Sequence, residues 1–498
     1  MDFRVVESQS PRLANRIVKN GIALIAAKIT VSFGTFLLVI FVSRYLDVEG
    51  LGIYSTILTF YATLEVFASL GFINYIPREV SRTPEQTGEY LSHSIVSALV
   101  STLFLLLLAH FIVPHLGYNS TTVAGITIIL LSLAPAALIT VGQSFFIAFE
   151  KAGYITLLNF IEVTARVLVS ISLLYWGYGV LAVIIAFCFF SYLSLCLYAI
   201  VLFRQIGFPH WTFNVGFLRH FARDMVVFSA LVIAGGLFNT IETLSLSVFK
   251  GETAVGIYNA GYRLVFIWSL IPGSIMNAAL PNLSRLYRNA RPQFERLAEK
   301  SIKYLSLIVF PLIIGTTAVA DEIVVALYGE SFVGTPSVLR LLVWSLLPMF
   351  LDDALWRILL ASDHEAFTLR VTIVNLFIMA VLCLLLIPPL SYIGAAWVVI
   401  LVLTIQAGTY AVYVHLKVTK IHYWKIINRP LLAALAMGVL AAALRAYVPL
   451  LAVISISIVV YAVAAWLLGA ISFEEVASLW KQIRPPAPEE TEILGPGV

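Results

Sequence analysis

The sequence predicts an all-α protein that crosses a membrane many times, and three observations carry that prediction. Of the 498 residues, 60% are hydrophobic and only 12% are charged, whereas a soluble chain carries about a quarter charged residues. Mean hydropathy is +0.96. Apolar runs of roughly 20 residues recur along nearly the whole chain, each long enough to cross about 30 Å of hydrocarbon as a helix. Backbone donors and acceptors in lipid find no water, so runs this long must satisfy them internally, which a helix does.

In chain order the predicted spans are 20–43, 52–74, 91–113, 122–147, 154–175, 178–203, 225–248, 255–280, 304–326, 336–361, 370–388, 392–415, 430–447 and 449–470, about 14 in all. The first 19 residues are polar, with no apolar core that a cleavable signal would need. With that segment on the inner side, the inner loops collect about 23 Lys and Arg and the outer loops about three, Arg44, Lys250 and Arg445. The positive-inside rule then places both termini in the cytoplasm, with the chain in the cell membrane. The expected organisation is a cytoplasmic segment 1–19, an N-lobe 20–203 and a cytoplasmic linker 204–224. A C-lobe 225–415, an appended helix pair 430–470 and a cytoplasmic tail 471–498 follow. The tail is proline-rich and acidic at its end, a composition that favours disorder. The basic stretch PNLSRLYRNARPQFERLAEKSIK, 281–303, reads either as an amphipathic helix lying along the headgroups or as a solvated connector.

The lobes are predicted from an internal echo. YLDVEGLGIYSTILTF (45–60) returns as FKGETAVGIYNAGYRL (249–264), 204 residues later. Pro77 follows Gly52 by 25 residues, as Pro281 follows Gly256. Six spans separate the copies, so both run the same way across the membrane. FEKAGYITLLNF (149–160) with ASDHEAFTLRVT (361–372), and GYGVLAV (177–183) with SYIGAAWV (391–398), extend the echo. Two parallel six-helix lobes around a pseudo-twofold axis along the membrane normal are a transporter architecture, with the substrate path between them. The last two spans have no counterpart.

Ionisable groups inside spans are the candidate site, because each costs about 2.5–3.5 kcal/mol at a helix centre. The spans contain Lys28, Glu65, Glu162, Arg166, Glu242, Arg263, Arg340, Asp352, Asp353 and Arg357, with Asn239 as a neutral polar candidate. Arg166 lies about 18 Å into its helix, near the midplane. Lys28 and Arg263 lie about 12 Å from the inner and outer ends of theirs. Arg340, near a helix end, can reach the headgroups and is set aside. Glu162 and Arg166 are spaced i, i+4 and share a helix face; Asp353 and Arg357 repeat the spacing. Each pair reads either as a neutralised structural pair or as the wall of a wet cavity, where an Arg fork can hold phosphate oxygens. A net charge of +4 gives no nucleic-acid footprint. The chain has no GxxxxGK[ST] loop, HExxH, CxxC or nucleophile elbow, so no catalytic residue, metal or cofactor is expected. Cys188, Cys196 and Cys383 sit in apolar runs as small fillers. Short outer loops leave no room for an outer catalytic domain.

RYLDVEGLGIYS followed by SLGFINYIPREVSR, then FKGETAVGIYNAGYRL, LPNLSRLY, ALYGESFVGTPSVLRLL and IPPLSYIGAAW, stand in the order and spacing of a known family. Over about 30–415 the chain resembles the polysaccharide-synthesis flippases, a branch of the multidrug/oligosaccharidyl-lipid/polysaccharide exporter superfamily. The resemblance implies 12 to 14 helices in two lobes around a central cavity. It further implies export of lipid-linked, polyprenyl-pyrophosphate oligosaccharides by alternating access, with basic cavity residues holding the pyrophosphate. Depth and chemistry assign that role to Lys28, Arg166 and Arg263. The partners expected are the lipid-linked cargo, membrane lipids, a coupling ion (H+ or Na+) and polysaccharide-assembly enzymes. An ion-coupled multidrug exporter of the same superfamily is the alternative, and a membrane polymerase or ligase a more distant one. The Arg neighbours of Glu162 and Asp353 favour anionic cargo.

Overall fold

The computed structural model describes residues 10–206 and 215–471, with the backbone alone for 10–25, Lys28, Ile206, Val215, His220, Val227 and Leu231. Among these residues there is no strand. The N-terminal half forms α1 (Ser10–Ala68), α2 (Phe72–Arg82), α3 (Thr87–Ile112), α4 (Ser120–Leu130), α5 (Leu133–Ala148), α6 (Ala152–Tyr175) and α7 (Val180–Ile206). Then come α8 (Val215–Phe238), α9 (Ile241–Phe266), α10 (Leu270–Asn289), α11 (Arg291–Ala318), α12 (Ala320–Tyr328), α13 (Thr335–Leu342), α14 (Leu346–Ala361) and α15 (Glu365–Tyr413). The pair α16 (Tyr423–Leu444) and α17 (Leu450–Leu467) closes the described chain.

Eleven helical stretches among the described residues are long and apolar enough to cross a membrane. Three contain a reversal at a single non-helical residue, Asp47 (φ 56°, ψ −167°) in α1, Gly251 in α9 and Ser391 (φ 52°, ψ −132°) in α15. The 59 residues of α1 would span about 88 Å if straight, far beyond one bilayer crossing. Dividing α1 and α15, taking the part of α9 before Gly251 with α8, and adding the broken helix α13–α14 is consistent with fourteen crossings. Their outer surfaces are what lipid requires: Phe104 and Phe111 of α3 and Phe377 of α15 are 64%, 71% and 71% exposed.

The sequence echo has a structural cause. Asp47 and Gly251 (φ 75°, ψ −175°) are 204 residues apart and turn the backbone in the same way, in the left-handed region. Just beyond each turn the repeated glycines meet. A Cβ on Gly52 would lie 1.8 Å from the Glu252 carbonyl oxygen, and one on Gly256 would lie 2.1 Å from that of Val48. Val48 and Glu252 are themselves 204 apart, so the contact is reciprocal, as at any two-fold interface. The pseudo-twofold axis of the parallel repeat therefore passes between Gly52 and Gly256, and only glycine permits this approach of backbone to backbone.

Side chains seal the same end. Arg44 donates from Nε to the Leu327 carbonyl at 2.8 Å and also bonds the Ala326 carbonyl. Ser331 donates to Asp47 at 3.2 Å. In the mirror arrangement Thr122 donates to Glu252 at 2.9 Å, and the Tyr118 and Ser247 hydroxyls are 2.7 Å apart. Each lobe's turn thus holds a loop of the other lobe.

The structure adds detail to three segments. The 281–303 stretch is not one in-plane helix: α10 runs to Asn289, the chain turns at Ala290, and α11 starts at Arg291, with Leu283, Phe294, Ala298 and Ile302 buried. Those apolar positions pack the hairpin's two arms and leave no free apolar face for headgroups. The second part of the 204–224 linker is already helical from Val215, while 207–214 and the tail 472–498 lie outside the described residues. The appended pair packs on α11 of the C-lobe, where Tyr461 donates to the Leu307 carbonyl at 2.7 Å and Gly438 faces Ile314. Arg340 serves this joint, pairing with Asp321, which also lies 3.7 Å from Arg445.

Candidate functional site

Directly below the glycine contact the lobes part around a cavity of about 620 Å³. In α1 the cavity-lining residues Tyr54, Leu58, Tyr61 and Glu65 recur at helical spacing, so one face of the helix descends along it for about 17 Å. In α9 the equivalent face carries Asn259, Tyr262 and Arg263. Arg263 stands 204 residues after Thr59, and both line the cavity. At this repeat position the C-lobe carries charge where the N-lobe is neutral.

From the N-lobe, α6 contributes Asn159, Glu162 and Arg166 at i, i+3 and i+7, one face of the helix. The Arg166 Nε donates to Glu162 Oε1 at 2.7 Å, and its guanidinium carbon sits 4.9 Å from the Phe187 ring centre. Its side chain is only 8% exposed, so the pair is largely desolvated and held from two sides. Arg263 differs. No carboxylate lies within ion-pair distance of it among the described residues, and its Nε is buried without a hydrogen-bond partner. The side chain is half-buried, a buried N–H left this way is costly, and an anion in the cavity would be drawn to the fork. The formal charges lining the cavity, from Arg166, Arg263, Glu162 and Glu65, balance, so attraction for anions resides in one unpaired fork rather than in a net positive wall.

The other sequence candidates separate. Arg357 does not reach the cavity: its Nε donates to Asn277 at 3.1 Å, it pairs with Asp353, and it is 6% exposed. The Asp353 and Arg357 spacing copies that of Glu162 and Arg166, but α14 turns the pair toward α10 rather than toward the seam. Glu242, 1% exposed, faces a separate C-lobe pocket of about 200 Å³. Asn239 and Tyr262 line both spaces, and α8 ends at Phe238, so the helix breaks beside the cavity at Asn239 and Thr240. Lys28 lies on the helical backbone of α1, but its side chain is outside the described residues. The sequence reading passed over Gln143, Asn159, Asn259 and Thr59, all on the cavity wall. The i, i+3, i+7 run of polar residues in α6 would have flagged Asn159.

A second opening, about 240 Å³, lies between Val31–Phe36 of α1 and Tyr262–Leu270. It shares Val31, Thr35, Tyr262 and Arg263 with the cavity, so Arg263 stands where the two spaces meet.

Two parallel helical lobes around a polar cavity, sealed across one end, define an alternating-access membrane transporter. Residues 17–287 match the sequence model of the family described as "Polysaccharide biosynthesis protein", and the chain belongs to that family. It is 23% identical over 385 residues to the probable low-salt glycan biosynthesis flippase Agl15 of Haloferax volcanii, covering 76% of this chain and 79% of that one. Among solved structures, the lipid II flippase MurJ in an inward closed conformation superposes with a TM-score of 0.73 at 15% identity, over 90% of this chain and 98% of that one. An inward-facing multidrug resistance MATE family transporter of the MOP superfamily gives 0.61 at 14% identity, over 79% and 98%. These likenesses establish the fold.

Proposed function

We propose that the protein is a flippase that carries a lipid-linked oligosaccharide from the cytoplasmic to the outer leaflet by alternating access. Sugars and phosphates cannot cross hydrocarbon unaided, because their hydration would be lost without replacement. The single observation that carries the reading is Arg263, half-buried on the wall of the cavity between the lobes, with a buried Nε that has no hydrogen-bond partner and no ion pair among the described residues. In this reading it takes the pyrophosphate of the cargo, with Arg166 as a second, Glu162-tempered contact and Lys28 as a further candidate. The slot between α1 and α9 gives the polyprenyl tail a way to remain in lipid while the headgroup enters. In this reading the termini lie in the cytoplasm and the chain in the cell membrane, which the positive-inside bias of the loops supports. The role is transport rather than catalysis, and assembly enzymes on the cytoplasmic side supply the cargo. Glu65, a cavity carboxylate outside any ion pair among the described residues, is the group on which a coupling H+ or Na+ would act.

The reading is at odds with a cationic-drug exporter, since a cation would face the unpaired fork of Arg263. The test is protection of a fluorescent lipid-linked sugar in proteoliposomes. Wild-type protein is expected to remove half of the protection, and Arg263→Gln to slow that step at least about tenfold, the loss of one charge-assisted contact. Wild-type protein that leaves protection intact sinks the proposal.

A further inference from the structure

Behind the N-lobe wall of the cavity, three helices converge on one buried phenol. Tyr198 of α7 is 2% exposed. Gln143 of α5 donates from Nε2 to its hydroxyl at 3.2 Å, and that hydroxyl donates to Asn159 Oδ1 of α6 at 2.8 Å. Gln143 and Asn159 both line the cavity, so the phenol splints two amides whose remaining polar atoms have no other protein partner among the described residues.

A hydroxyl both gives and takes a hydrogen bond, so the chain must run one way through Tyr198. In the observed sense Gln143 keeps its carbonyl oxygen and one N–H, and Asn159 keeps both N–H groups and one carbonyl lone pair. Reversing both amides exchanges those roles and leaves the pair the same: donors and acceptors side by side. That pattern suits neighbouring sugar hydroxyls, each of which also gives and takes. It suits phosphate less well, because phosphate oxygens only accept and would also meet the free carbonyl lone pairs. One turn above Asn159 stands Glu162, whose second oxygen is a further acceptor and a further repulsion for phosphate. The cation without a carboxylate partner, Arg263, lies on the opposite lobe, and Arg166, two turns along α6 from Asn159, is tied to Glu162. The helices α5, α6 and α7 also pack through Phe145, Phe146, Ile155 and Leu202.

We infer that the N-lobe wall, built on Gln143 and Asn159 and splinted by Tyr198, is a subsite for an uncharged sugar ring of the cargo, distinct from the pyrophosphate position at Arg263. The inference rests on the flippase reading and adds a division of labour: Arg263, with Arg166 as the second contact, holds the pyrophosphate, and the amide pair Gln143 and Asn159 reads sugar. A wall built to bond hydroxyls selects strongly against a ligand that lacks them, because its own polar groups are then left unpaired.

The test is equilibrium binding to the full-length protein in nanodiscs. One probe is farnesyl pyrophosphate; the others are its conjugates with N-acetylglucosamine, glucose and galactose. Wild type is expected to bind at least one conjugate about tenfold or more tightly than the bare pyrophosphate. Gln143→Leu and Asn159→Leu each remove that advantage and leave the bare probe unchanged, which also reports that the variants are folded. Tyr198→Phe, which keeps the ring and removes the splint, reduces the advantage by several-fold. Arg263→Gln weakens every probe alike. Equal wild-type affinity for bare and sugar-bearing probes overturns the subsite, as does an equal loss for all probes in the amide variants. If the amide variants behave as expected but Arg263→Gln changes nothing, the subsite stands and the assignment of the pyrophosphate to Arg263 falls.

Discussion

Replacing Gly52 by alanine tests the seal at the pseudo-twofold axis. The added Cβ would sit 1.8 Å from the Glu252 carbonyl oxygen and 2.5 Å from its carbon. Both are backbone atoms, so no side chain can swing aside. Restoring ordinary contact requires the two helices to part by about 1.5 Å at their closest point, and overpacking of this kind costs roughly 1–3 kcal/mol. The penalty falls on the closed seal alone, because opening that end separates the two glycines. At about 1.4 kcal/mol per tenfold, the ratio of closed to open molecules falls roughly 5- to 150-fold. Tyr54, two residues below Gly52 on the cavity wall, is the reporter. With Cys188, Cys196 and Cys383 replaced by serine and Tyr54→Cys introduced, a membrane-impermeant thiol reagent applied to the outer face should label the Gly52→Ala protein faster by that factor. Gly153→Ala, where a Cβ meets nothing within 4 Å, is the control and should label at the parent rate. A folded Gly52→Ala protein that labels no faster than the parent refutes the assignment of the glycine contact as the seal.

Other outcomes separate structural charge from cavity charge. Asp353→Leu strands the buried Arg357 and should cost about 3–5 kcal/mol, read as a large fall in thermal unfolding temperature in detergent. Arg263→Gln, which removes a charge with no protein partner, should leave that temperature unchanged while slowing flipping. Glu162→Gln untethers Arg166 and leaves the cavity lining one positive charge in excess. Farnesyl pyrophosphate should then bind roughly threefold to tenfold tighter, about 1 kcal/mol, and unchanged or weaker binding in a titration would contradict the proposed role of Arg166.

The apolar runs and the repeat were legible in the sequence because each is a property of single segments. Lipid forces every long apolar run into a helix, whatever its neighbours, and the matching GIY segments reported two copies of one orientation. The charges were legible as suspects for the same reason, since their cost depends on depth. The sequence did not distinguish Glu162 and Arg166 from Asp353 and Arg357. Both pairs have the same spacing and chemistry, and they part company only through what packs opposite: a seam between lobes for the first, Asn277 and α10 for the second. The neutral wall of Gln143 and Asn159 was overlooked because an amide in a span carries little depth penalty, and nothing in the sequence links it to Tyr198, 55 and 39 residues away.

By itself, then, the sequence determined the class of fold, the parallel lobes and a short roster of buried charges, because the bilayer acts on each helix separately. Tertiary structure alone decided that Gly52 and Gly256 close one end against each other, that Arg263 is left without an ion-pair partner among the described residues, and which polar faces share a void. Those outcomes depend on how each helix is rotated about its own axis. That rotation is set by contacts among several helices at once, so no single stretch of sequence encodes it.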